Sequence, residues 1–495
     1  MKSPLFRLML LLTLCAPGAV VLNAAEAKKP NVLFIISDDL TATALSCYGN
    51  TVSRTPNIDR LAARGTRFTR AYCQATFCGP SRASFMSGYY PHATGVFGYV
   101  SGRAAIGPER ATWAQHFKNA GYHTARISKI FHMGVPGGIE EGGDGRDHDG
   151  GNGTDDPASW TERFNSPGPE WKAPGVGETL EGNPDGKKPV VGGNTFVVVE
   201  ADGDDMVHSD GRTAAKACEL IKQRAAAPGQ QPFFLAVGFV RPHVPFVAPK
   251  SYFAPYLPYD KLTLPEKVPG DWDDIPKAGI NYKTSVNMKM DVRRQKKALG
   301  GYYAAVAFMD AQVGKVLNAL KEAGLDDNTI VIFTSDHGYH LGEHDFWAKV
   351  SVHEESASVP LIIRVPGKKP AVCHSFAELL DLYPTLSRLC GLEVPSHIQG
   401  KDLSPIFDHP GHKVRDAVFC INAADGGFLI REEKWAFIQY GENAAKGIEL
   451  FDMVKDPKQY TNLAVRPEFR PIVDEFKAKL AAKLKAVRTN DLGRR

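Results

Sequence analysis

Asn31–Ser37 reads NVLFIIS and runs straight into Asp38-Asp39. A continuous apolar run of this kind is not the alternation of a strand with one wet face. It is the pattern of a strand buried on both sides, as in a parallel sheet covered by helices. Pro232–Val240 (PFFLAVGFV), Thr329–Thr334 (TIVIFT) and Val359–Val365 repeat the pattern, and His123–Ser128 is a less apolar version of it. Helical segments fall between these runs and stop at breakers. They are Pro56–Arg64 before Gly65, Ala111–Ala120 before Gly121, Arg212–Ala227 before Pro228, Asp291–Ala323 before Gly324, and Phe376–Leu389 near Gly391. Strands alternating with helices predict an α/β fold, a large mostly parallel sheet sandwiched by helices.

Outside this core the pattern changes twice. Residues 134–210 are rich in Gly, Asp and Pro and are expected to be a loop-rich insertion near a site. The acidic run from Glu140 to Asp156 lacks the spacing of a calcium loop and reads as solvated chain. From residue 401 the runs become short and β-like (Ala417–Ile421, Phe428–Arg431, Trp435–Gln439) and end in an amphipathic helix from Phe469 to Val487. The expected organisation is a catalytic domain over residues 28–400 and a smaller C-terminal α+β subdomain over 401–495. Residues 1–27 carry Lys2 and Arg7, an apolar run from Leu8 to Leu14, and Ala25-Glu26-Ala27, the layout of a cleaved signal peptide. The expected location is therefore periplasmic or secreted, with no membrane association after cleavage, because no later segment is apolar enough to span one.

The chain has 495 residues, 43% hydrophobic and 23% charged, with a formal net charge of +4. This near-neutral balance, without a long Lys/Arg block, argues against nucleic acid as a partner. The cysteines contain no C-x-x-C pair that would indicate zinc or redox chemistry, and sequence cannot choose a disulfide pairing for them.

Four strand candidates end in polar residues: Asp38-Asp39, Ser335-Asp336-His337-Gly338, Arg241-Pro242-His243, and Lys129 with His132. In open α/β sheets ligands bind just beyond the carboxyl ends of strands. Asp38, Asp39 and Asp336 offer hard oxygen ligands suited to calcium or magnesium, with His337 beside them as a weak ligand or a hydrogen-bonding partner. Cys78-Gly79-Pro80-Ser81-Arg82 places a proline where a helix would begin and so puts Cys78 at a helix N-terminus, where backbone N–H groups favour an anion.

Cys78–Gly88 resembles the signature of type I, formylglycine-dependent sulfatases of the alkaline-phosphatase superfamily. The resemblance extends over Asn31–Asp39, Thr55–Asp59, Lys129–His132, Pro242-His243, Thr334–Lys349 and Glu449–Leu463. Ser128–His132, Leu341–His344, Trp347–Lys349 and His337 resemble the iduronate-2-sulfatase branch. The resemblance implies an alkaline-phosphatase-like fold and a sulfuric ester hydrolase. Cys78 would be oxidised to formylglycine (3-oxoalanine) by a maturation enzyme that reads Cys-x-Pro-x-Arg. One hydroxyl of the hydrated aldehyde would attack sulfur, and the other would later expel sulfate. It further implies a divalent ion, calcium in preference to magnesium, among Asp38, Asp39, Cys78, Asp336 and His337. Lys129 and Lys349 would hold the sulfate charge and Arg82 would brace the nucleophile. His132 and His243 would move protons, and Arg241 and His344 are candidates for substrate contact. The implied substrate is a sulfated carbohydrate, a glycosaminoglycan or an algal oligosaccharide. A 2-O-sulfated uronate is among the candidates, although residues 134–210 and the C-terminal part show no match to the branch. Two other readings are a phosphonate or phosphate monoester hydrolase of the same superfamily and a non-catalytic binder of sulfated glycans. The first is disfavoured by the single ligand set, the second by the complete set of polar residues.

Overall fold

The computed structural model describes residues 29–132, 154–182, 195–227 and 231–493. The signal-peptide reading falls outside them. The main sheet comprises β1 (Asn31–Asp38), β2 (Thr66–Tyr72), β3 (His123–Ser128), β4 (Glu162–Phe164), β7 (Phe233–Pro242), β9 (Thr329–Ser335), β12 (Ser358–Arg364), β13 (Ala371–Cys373) and β14 (Ala377–Glu378). Its order is β13-β2-β12-β9-β1-β7-β3-β4, with β14 also on β2. β9, β1, β7, β3 and β4 are parallel, whereas β12 runs antiparallel to both β9 and β2.

The unbroken apolar run of β1 has a simple cause. Leu33 and Ile35 face a core that includes Leu220 from the helix Ser209–Ala226 and Tyr302 and Met309 from the helix Val292–Glu322. Val32, Phe34 and Ile36 face the opposite core, with Phe85, Trp113 and Leu382 from the helices Cys78–Ser87, Trp113–Asn119 and Leu382–Leu389. Both faces are dry, so every position is apolar. Each such side chain contributes about 1.5–3 kcal/mol by leaving water. The long helix starts one residue later than its sequence pattern suggests, because Asp291 caps it: the Arg294 N–H donates to Asp291 Oδ1 at 2.8 Å. The helix expected from Phe376 instead begins at Leu382. Glu378 and Asp381 form a reciprocal cap before it, and Arg415 pairs with both carboxylates.

The stretch expected to be loop-rich carries β4 and two strands of a small sheet. In that sheet β6 (Val197–Ala201) lies between β5 (Gly175–Thr179) and β8 (Phe246–Pro249). A two-residue hairpin, β10 (His340–Leu341) and β11 (Trp347–Ala348), follows β9. The C-terminal part is an antiparallel meander of β15 (Ala417–Ile421), β16 (Gly427–Glu432), β17 (Trp435–Tyr440) and β18 (Ile448–Asp452). The helix Arg470–Arg488 packs on it, with Phe437 and Phe476 stacked at 5.4 Å. Ile421 pairs with Ala75 just beyond β2, which sets this sheet beside the Cys78 segment.

Candidate active site

β1 and β9 are parallel and in register, Ser37 opposite Ser335, so Asp38-Asp39 and Asp336-His337 leave the sheet side by side. Asp39 has φ 61°, a left-handed value that is strained for a residue with a side chain. Its own backbone holds it there. The Asp39 N–H donates to Asp336 Oδ1 at 3.2 Å, and its carbonyl accepts from the Tyr302 hydroxyl at 2.7 Å.

Cys78 opens the helix Cys78–Ser87, with Pro80 in its first turn, and Gly88 at φ 81° closes it. Gly79 leaves no room for a side chain. A Cβ there would lie 2.3 Å from the Gly98 carbonyl oxygen, so residues 98–99 press directly against the start of the helix. Cys78 Sγ lies 3.4 Å from His337 Nε2 and 3.8 Å from Asp39 Oδ1, and accepts from Lys349 Nζ at 3.2 Å. Burial, and then Asp38, push the thiol well above its ordinary pKa. A neutral buried thiol is a poor nucleophile in its own right.

Three cations stand against these carboxylates. Lys129 Nζ pairs with Asp38 Oδ2, and Lys349 Nζ with Asp39 Oδ1 at 2.7 Å. The Arg82 guanidinium is fully buried. It donates to Asp336 Oδ2 at 2.9 Å, Asp38 Oδ1 at 3.0 Å, and the carbonyls of Lys129 and Ile130 at 2.7 and 3.0 Å. Its fork therefore ties β1, β9 and the end of β3 together. Burial opposes the charge on Asp38, but Lys129, His243 and Arg82 outweigh it and hold its pKa well below the ordinary value. For Asp39 the balance reverses. Burial, with Asp38 and Asp336 alongside, outweighs Lys349 and His337 and raises it. Lys349 stays charged, because Asp39, Cys78 and Asp38 overcome its burial. It sits between Ala348 at φ 67° and Val350 at φ 74°, so the backbone on both sides is strained to present it.

The donor set fits a divalent cation. One ligand atom from each of Asp38, Asp39, Cys78 and His337 lies within 4.8 Å of the others. His337 Nδ1 faces the Gly338 carbonyl at 2.8 Å. That oxygen can only accept, so Nδ1 carries a proton, and the ring turns its Nε2 toward Asp39 Oδ1 at 3.2 Å. An imidazole nitrogen and a carboxylate oxygen converging in this way are atoms that a cation can bridge. Asp39 Oδ2 is buried with no hydrogen bond. Asp336 sits beside the group with both oxygens already accepting, Oδ1 from the N–H groups of Asp39 and His337 and Oδ2 from Arg82.

His243 Nδ1 donates to the Val244 carbonyl, and its Nε2 lies 3.7 Å from Asp39 Oδ2. Burial and Lys349 lower its pKa well below the ordinary value. Burial and Lys129 push His132 down to about 2. Its ring stacks on Tyr99 with centroids 4.2 Å apart.

Of the two candidates for substrate contact, Arg241 lies at the end of β7 behind His243 and His344 sits in the β10–β11 hairpin. Arg241 is 2% exposed, paired with Glu170, and donates to the carbonyls of His243 and Pro245. It braces the turn that carries His243. His344 is also 2% exposed and donates from Nδ1 to Asp271 Oδ2 at 2.9 Å, next to His340 and His353. Sequence reasoning passed over Ser81, whose hydroxyl holds the Asp336 carbonyl at 2.5 Å; its place inside the Cys78–Arg82 string was a usable signal. It also passed over Tyr99, Tyr282, Tyr302 and Glu170, whose roles depend on contacts distant in sequence.

Comparisons with known proteins agree with this geometry. The family model described as Sulfatase matches residues 30–392, and one described as N-sulphoglucosamine sulphohydrolase, C-terminal, matches 342–486. A sulfatase of Formosa agariphila is 31% identical over 92% of this chain and 87% of its own length. The human iduronate 2-sulfatase is 33% identical over 74% of this chain and 70% of its own. A protein solved in complex with its substrate D-glucosamine-2-N,6-O-disulfate superposes with a TM-score of 0.69 at 22% identity, covering 94% of this chain and 99% of that one. Phosphonate monoester hydrolases share the fold as well.

Proposed function

The chain belongs to the sulfatase family, and on that premise we propose that it removes sulfate from a sulfated carbohydrate, with Cys78 matured to formylglycine as nucleophile and a divalent cation on Asp38, Asp39 and His337. Its class is that of the sulfuric ester hydrolases. The observation that carries the finer reading is the position of Cys78. It is a buried thiol held neutral at a helix N-terminus, 3.4 Å from His337 Nε2 and 3.2 Å from Lys349 Nζ. As a cysteine it lacks the thiolate that attack requires. As an aldehyde hydrate it would offer a hydroxyl to sulfur and a second one to regenerate itself. The cation, calcium in preference to magnesium, would polarise a sulfate oxygen.

The remaining roles follow from where the side chains lie. Lys129 and Lys349 reach the carboxylate cluster from two sides and are placed to meet the charge of a bound sulfate. Arg82 fixes Asp38 and Asp336 relative to each other. His243 keeps an Nε2 lone pair toward Asp39, and an anionic ester beside it would raise its proton affinity, which suits it to serve the leaving oxygen. His132, its pKa lowered to about 2 by burial and Lys129, would take a proton from the nucleophile only once an anionic ester beside it raises its proton affinity. Asp336 takes the rim of the cation site. The proposed organisation keeps the catalytic domain at residues 28–400 and the smaller subdomain at 401–495, with export to the periplasm or medium and a maturation enzyme as transient partner. Among the described residues no helix is long and apolar enough to cross a membrane.

The test is sulfate release by matured protein from 2-O-, 3-O-, 4-O- and 6-O-sulfated mono- and disaccharides, with mass spectrometry of the Cys78 peptide. Release from one regiochemistry, lost with Cys78→Ala and with a chelator, is the expected result. Verified formylglycine without release from any sugar would overturn the carbohydrate reading and bring phosphonate esters forward.

A further inference from the structure

Among the described residues only two aromatic side chains are strongly exposed, Tyr99 at 51% and Tyr282 at 45%. Both belong to segments built onto the Cys78 site. Tyr99 follows Gly98, and the Tyr99 Cα would lie 3.0 Å from a Cβ at Gly79, the residue after Cys78. One face of its ring covers His132, and Phe77 meets it edge-on at 6.3 Å. Tyr282 lies in a segment laid along the hairpin that carries Lys349. The Trp347 N–H donates to the Lys283 carbonyl at 2.9 Å, Asn281 Nδ2 donates to the Trp347 carbonyl at 3.3 Å, and Thr284 pairs with Phe346. The two tyrosines thus arise from two separate segments at the site, one beside the nucleophile and one along the hairpin that carries Lys349. Burial raises the Tyr282 hydroxyl, and the charges of Lys349, Asp39, Tyr99 and Cys78 all reach it; burial likewise raises Tyr99, which feels Cys78, Lys349 and Asp39. Each tyrosine is thus half exposed at the edge of the charged cluster.

Among the described residues the two strongly exposed tyrosines both stand at the buried charged cluster, and an aromatic ring face is a surface that apolar C–H groups can pack against. A sugar ring offers a patch of C–H groups on one face and hydroxyls at its edge. Such a ring can lie against an aromatic face while its sulfate enters a charged pocket. Resting on the carbohydrate-sulfatase reading above, we infer that Tyr99 and Tyr282 form an aromatic subsite that grips the pyranose ring bearing the sulfate. The substrate class is then a ring-borne sulfate rather than an alkyl sulfate.

The experiment compares matured parent, Tyr282→Ala, Tyr99→Ala, Tyr282→Phe and Tyr99→Phe on two esters. One is the best-cleaved pyranoside of the sulfated panel, and the other is propyl sulfate, which presents the same group without a ring. Loss of either ring face should raise KM for the pyranoside by about tenfold while kcat changes by less than about threefold, and kcat/KM for propyl sulfate should fall much less. The phenylalanine variants keep the face and should return KM to near the parent value. Residual cleavage of propyl sulfate shows that the pocket is intact in each variant. Equal losses on the two esters, a loss confined to kcat, or an unchanged KM for the pyranoside would overturn the subsite while leaving the sulfatase reading in place. A parent that cleaves propyl sulfate and no sugar ester would overturn both.

Discussion

Two buried polar clusters lie within a few residues of each other in sequence and differ in kind. The first gathers Asp38, Asp39, Asp336 and His337 against Arg82, Lys129 and Lys349. The second gathers His340, His344 and His353 around the β10–β11 hairpin, with Asp271 on His344 and Glu449 on His353 at 2.8 Å. Both are closed to solvent, and a count of histidines and carboxylates would rank them alike. What separates them is the state of the groups. In the first, carboxylates crowd together and three cations are driven in against them. In the second, the histidine rings pack on one another and on Phe346, and Asp271 and Glu449 orient His344 and His353. Density of polar side chains is therefore a weak sign of chemistry; opposite and like charges forced together are a stronger one.

Arg82 should show the contrast most sharply. Arg82→Leu removes the fork between Asp38 and Asp336 and strands two buried carboxylates. It should cost about 3–5 kcal/mol in chemical denaturation and eliminate sulfate release. A variant that retains the parent's stability would mean that those carboxylates are protonated in the fold and that the first cluster is no more charged than the second. Lys349→Ala comes next. The strained Ala348–Val350 backbone presents this one ammonium, so kcat/KM for sulfate release should fall by about 10²–10³, with a stability loss smaller than that of Arg82→Leu because only Asp39 is left without its cation. A fall in stability without a fall in rate would make Lys349 a structural counterion only.

His344→Gln probes the other side. It breaks the bond to Asp271 Oδ2 and leaves a buried carboxylate short of a donor. The expected cost is about 1–3 kcal/mol of stability, read from denaturation. Its effect on kcat in the folded fraction should be far smaller than that of Lys349→Ala. If turnover collapsed while the stability held, His344 would belong to the active site and the division drawn between the clusters would fail.

The contrast also shows what a sequence can disclose. β1, β7 and β9 were legible because burial on both faces writes itself into every position, and the Cys78–Arg82 string because it is local. The direction of β12 was not legible. Ser358–Arg364 is as apolar as its neighbours, and nothing in such a run says which way the chain enters the sheet. Arg241 looked like a ligand-facing cation because it follows a strand. Its partner Glu170 comes from a stretch whose composition suggested loops, and only the fold brings the two together. His344 looked like a site residue for the same reason: it is close in sequence to His337 and Lys349, while Asp271 is not.

The smallest expected effect concerns His340, whose two ring nitrogens are both buried without a hydrogen bond. Burial, then His353 and His344, hold its pKa well below the ordinary value, so the folded protein carries it neutral. The unfolded chain takes up a proton there below about pH 6.5. The stability tied to this group is therefore complete above that pH and is lost as pH falls toward the folded value, by at most about 1.4 kcal/mol per pH unit. Glu355, with Oε2 3.9 Å from His340 Nδ1 and its own pKa raised to about 7 by burial, works in the opposite direction, since it keeps a proton in the fold that the unfolded chain releases. His243 and His132 add slopes of the same sign as His340. His340→Leu removes one contribution and leaves the rest, so the drop in Tm between pH 7 and pH 5 should become shallower without vanishing. A steeper drop would mean that His340 is already protonated and paired with Glu355 in the fold. The second cluster would then hold a buried ion pair of its own, and the difference between the two regions would be one of degree.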